Sequence, residues 1–66
     1  MPSQADYMEA KRQIDSTLHK LREAVKTLEG KEEPQRYRSQ ITLAKRRIKA
    51  FELARGLMEE KLREDG

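Results

Sequence analysis

The 66-residue sequence contains no cysteine, no tryptophan and a single phenylalanine, with only two prolines and three glycines. The missing cysteine excludes thiol catalysis, disulfides and thiolate metal sites together, and fits a reducing compartment. The near-absence of aromatics limits the core to small aliphatic layers. No apolar run approaches the length of a membrane span, so none is expected. The opening Met-Pro-Ser-Gln-Ala-Asp has neither a basic nor an apolar leader region, which sets the expectation of a cytoplasmic location. A Gly-rich phosphate loop is also lacking. Ser3, Ser16 and Ser39 have no base at a useful spacing, and the adjacent Glu59 and Glu60 do not converge on one substrate. A chain this short encloses no substrate pocket. No catalytic residue, cofactor or small-molecule substrate is expected, and the chain is read as not an enzyme.

What the sequence does have is two apolar stripes at helical spacing. The first is Ile14, Leu18, Leu21, Val25 and Leu28. The second is Tyr37, Ile41, Ala44, Ile48 and Phe51, resuming at Met58 and Leu62. Alternate steps of four and three put each set on one side of an α-helix. Ser3 followed by Asp6 is a capping-box-like start behind Pro2. Gly30 suits a left-handed helix end, and Pro34 suits the first turn of the next helix. The expected fold is all-α: a single domain over 1–66, a two-helix antiparallel hairpin of about 3–29 and 34–63. Gly56 interrupts neither stripe, so the second helix is read as continuous.

Counting back from the turn, facing layers pair Leu28 with Tyr37, Val25 with Ile41, Leu21 with Ala44, Leu18 with Ile48 and Ile14 with Phe51. The next layer sets Lys11 against Arg55, two cations where apolar side chains are called for, and Tyr7 then faces Met58. The expected resolution is that both stems lie along the seam while their heads reach Asp15, Glu52 or Glu59. Such a core is small for an isolated chain without disulfide or metal, which makes oligomerisation the remaining stabiliser.

The second helix carries more apolar surface than one neighbour can cover. Leu43, Ala50, Ala54 and Leu57 flank its main stripe, with Leu53 further round, and these four are the expected interface. The expected partner is a second copy, completing a homodimeric four-helix bundle, or another helical protein. The leading functional expectation is therefore an interaction module.

The alternative comes from charge. Residues 1–30 hold five basic and five acidic side chains, residues 31–49 seven basic and two acidic (+5), and residues 50–66 three basic and five acidic (−2). Arg38, Lys45, Arg46 and Lys49 form a candidate nucleic-acid contact, since basic stripes neutralise phosphate backbones. No aromatic among them stacks bases. Membrane-surface binding is disfavoured by the lack of an exposed Trp or Phe beside the basic face. His19, with Asp15 and Glu23 four residues to either side, has metal-ligand spacing but lies among cations, and no metal site is expected. In architecture the expected fold resembles small hairpin dimers, including a class of plasmid-encoded RNA-binding bundles; the likeness is of fold alone and carries no residue across.

Overall fold

A computed structural model describes residues 1–65, so the last residue of the expected domain, Gly66, lies outside the described residues. Among them there are two long helices and no strand: α1 (Gln4–Glu29), a 3-10 turn (Pro34–Tyr37) and α2 (Arg38–Asp65). The helices pack on each other, hairpin-like, in a rod of 47 × 16 × 14 Å.

The start of α1 follows from its first residues. Ser3 is extended, with φ −84° and ψ 170°, and its Oγ accepts from the Asp6 amide at 3.2 Å while Asp6 Oδ2 accepts from the Ser3 amide at 2.9 Å. Two orphan amides of the first turn are thereby satisfied, with Asp replacing the usual Glu or Gln of a capping box.

The helix end departs from expectation. Gly30 is right-handed, with φ −84° and ψ −3°, and no described glycine has positive φ. Its amide donates to Lys26 O at 3.1 Å, and the Lys31 amide donates to Leu28 O at 3.3 Å. The last turn closes by tightening, so no left-handed residue is needed.

The second helix also begins differently. Pro34 opens a 3-10 turn, and regular α-helix starts at Arg38 rather than at 34, ending at Asp65 rather than about 63. Glu33, held out of the helical region by the proline after it, sits at φ −125° and ψ 75° and offers no side-chain cap to the amides behind it. The turn takes the i→i+3 geometry instead, with the Arg36 amide donating to Glu33 O at 3.1 Å. That geometry stacks residues three apart, and the Arg36 guanidinium meets the Glu33 carboxylate at 3.2 Å. Tyr37 is half-buried here, with the Lys31 ammonium 5.6 Å from its ring centre. The longer connection uses residues before α2 begins, so later α2 residues meet each level of α1 than the layer count expects. Leu62 meets Met8, Lys11 and Arg12 around one concavity, a turn beyond Met58, the residue the layer count sets at that end.

The core is thin. Leu18 is fully buried, and among the described residues only Val25 and Ala44 join it below a tenth exposed. Ile14, Leu21, Ile41, Ile48, Phe51 and Met58 are half-buried, because a seam between two helices is open along both flanks. Gly56 lies within unbroken α2, and a Cβ added there would meet nothing within 4 Å.

A candidate interaction face on α2

Three ion pairs bridge the helices: Glu29 with Lys45 at 3.1 Å, Arg22 with Glu52, and Asp15 with Arg55 at 3.4 Å. The partners ascend α2 as they descend α1. The third belongs to a cluster that takes up the two cations the layer count sets against each other. Asp15 accepts from Lys11 Nζ at 3.1 Å through one carboxylate oxygen and from Arg55 through the other, and Arg55 Nε lies 3.5 Å from Glu59. Lys11 and Arg55 are each about one-third exposed. Their stems lie along the seam and their heads reach Asp15 and Glu59, while Glu52 is taken by Arg22. The Asp15 carboxyl is held below its ordinary range, first by the hydrogen bond from Lys11, against some desolvation, and further by the charges of Lys11 and Arg55. Asp6 is likewise lowered, by the Ser3 amide and then by its hydroxyl.

The side of α2 turned away from α1 is the other notable surface. Leu43, Leu57 and Leu53 are 49%, 59% and 69% exposed. Ala50 is exposed between them, and the stems of Arg46 and Lys49 line a shallow concavity with Ala50, Glu52 and Leu53. Ala54 is half-buried, nearer the inner seam than the rest. Of the residues expected at an interface, Leu43, Ala50 and Leu57 thus share one exposed line and Ala54 borders it. Leu53, left at the margin by the sequence reading, sits on the line and is its most exposed large side chain. Counting heptads from Leu43 rather than outward from the inner stripe would have found it.

The basic candidates divide. At about 3.6 residues per turn, Arg38, Lys45 and Lys49 share one flank of α2, whereas Arg46 falls on the leucine line itself. Lys45 is engaged by Glu29. Among the described residues Arg38, Arg46 and Lys49 have no carboxylate partner. Nor, among the described residues, do three His, Asp or Glu side chains converge as a metal site would require. None of the described helices is long and apolar enough to cross a membrane.

Fold and surface together define a two-helix, all-α module with one exposed apolar helix face. The chain matches no protein-family model, no curated protein and no solved structure.

Proposed function

We propose that the chain is a non-enzymatic helical interaction module, an antiparallel hairpin that self-associates or docks on a partner helix through the outer face of α2. The observation that carries the reading is the line of Leu43, Leu53 and Leu57, half to two-thirds exposed on a helix whose other side is already packed. Leucines aligned on one face of a small charged chain are the surface a second helix covers. The opposite order of the bridging ion pairs along the two helices supports the antiparallel arrangement. The thin core supports the need for association, because so few side chains leave water within one chain.

Sedimentation equilibrium of the wild type beside Leu57→Glu tests the proposal. The wild type forms dimers at micromolar to sub-millimolar concentration, and the variant keeps its helical content but shifts to monomer. A wild type that stays monomeric and melts like the variant overturns it.

Nucleic-acid binding is a second reading, favoured by the unpaired Arg38, Arg46 and Lys49. Against it stand the engagement of Lys45 by Glu29 and the absence of a stacking aromatic on that flank. Fluorescence titration with duplex and single-stranded oligonucleotides at two salt concentrations decides it. No salt-dependent binding below about 100 μM removes this reading, since even non-specific binders reach roughly 10⁻⁴–10⁻⁶ M.

A further inference from the structure

Resting on the docking reading above, we infer that the outer face of α2 is covered by the same face of a second copy of this chain, the two α2 helices running in opposite directions. From Ser39 to Glu64, exposed positions recur at alternate steps of four and three residues, through Leu43, Arg46, Ala50, Leu53, Leu57 and Glu60. Such spacing is the heptad pattern of a helix–helix seam, here with a polar end at each side of an apolar centre.

The charges on the seam choose the direction. Arg46 is its one cation, near the N-terminal end, while Glu60 and Glu64 close the C-terminal end. A parallel copy sets Arg46 against Arg46, Glu60 against Glu60 and Glu64 against Glu64, like charges in every charged layer. An opposed copy pairs Ala50 with Leu53 of the second chain, Arg46 with its Leu57, and Leu43 with its Glu60. Each Arg46 then lies one layer from the other chain's Glu60, and the two-fold axis makes that ion pair twice. The wider gradient agrees, since residues 31–49 carry a net +5 (seven basic, two acidic) and residues 50–66 a net −2 (three basic, five acidic). Opposed helices lay the basic half of one along the acidic half of the other.

The same geometry fixes the shape of the assembly. At about 3.6 residues per turn the outer seam stands roughly 160° from the inner seam that packs on α1. Opposite faces place α2 between α1 and the second copy's α2, giving a row of four helices. The closed four-helix bundle expected from the sequence needs adjacent faces instead.

The test is a charge swap across chains. Arg46→Glu and Glu60→Arg are prepared separately, each checked for helical content by circular dichroism, and studied by sedimentation equilibrium alone and as an equimolar mixture. Each variant alone faces like charges twice and dimerises about tenfold more weakly than wild type. The mixture restores both pairs and forms a heterodimer at least as tight as the wild-type dimer. Arg46→Gln and Glu60→Gln, which remove the pair without repulsion, weaken dimerisation a few-fold and serve where a charge reversal disturbs the helix. If the single variants dimerise like wild type and mixing changes nothing, the opposed orientation is wrong while self-association stands. Should the wild type itself remain monomeric, the docking reading falls with it.

Discussion

At the residue scale, two positions separate what the backbone requires from what the seam requires. Gly56 is in regular helix and faces open space, so its cost is conformational entropy alone. Gly56→Ala is expected to stabilise the chain by about 1 kcal/mol, read as a higher thermal midpoint with no change in oligomeric state. Asp15 is the opposite case, a side chain whose worth is its charge. Its carboxyl titrates below the ordinary value of 3.8 because Lys11 and Arg55 both bind the ionised form. A carboxyl depressed in the fold stabilises it fully above the unfolded-state value, and the contribution is lost as pH falls through the lower folded-state value. The thermal midpoint therefore drops on acidification from about pH 5 downward, and Asp6, lowered by its cap, adds to the same window. In Asp15→Asn the midpoint at neutral pH is lower and the acid-dependent fall is shallower. Parallel melts across that range check both, and equal acid slopes in the two proteins would refute the assignment.

At the scale of elements, the inner faces of both helices were legible in the sequence because burial imposes a period on residue type, and Leu18, Val25 and Ala44 sit where that period puts them. The snorkelling of Lys11 and Arg55 was legible too, since a cation in a seam has few carboxylates within reach. The ends were not. Gly30 has the composition of a left-handed cap, yet its backbone is right-handed and the last turn closes through the Lys31 amide to Leu28 O; beyond it Pro34 restricts Glu33, and the second helix opens as a 3-10 turn with no side-chain cap. Local sequence names residues that permit a conformation; the geometry of the whole connection decides whether it is used. The outer line was half legible: Leu43, Ala50 and Leu57 stood out as surplus apolar residues, but Leu53 and Glu60 acquire meaning only when the exposed side is followed as a seam of its own. The helix end makes a sharp prediction. A Cβ on Gly30 would lie 3.4 Å from Lys26 O, ordinary contact, and the backbone there is one any residue adopts. Gly30→Ala is therefore neutral or stabilising by up to about 1 kcal/mol, whereas a left-handed Gly30 would make it clearly destabilising. Denaturant titration distinguishes the two.

At the scale of the molecule, the proposed dimer makes association and stability one equilibrium. A rod 47 Å long with one fully buried side chain among the described residues has little to hold it folded by itself, and in the proposed dimer a second copy covering Leu43, Leu53 and Leu57 would supply the missing apolar burial. Mass action then makes the melting temperature a function of concentration. For a dimer that unfolds to two chains, each tenfold rise in concentration adds about 0.7 kcal/mol per chain, half of RT ln 10, which for a chain of this size is a shift of roughly 3–6 °C. The wild type should show that slope by circular dichroism, and Leu53→Glu, which places a carboxylate at the centre of the seam, should melt at a lower temperature independent of concentration. The two proteins share every contact of the inner seam, so the difference in slope measures the outer face alone. A flat wild-type slope with a high midpoint would mean that the hairpin is sufficient by itself, and the exposed leucines would then have no part in holding the fold.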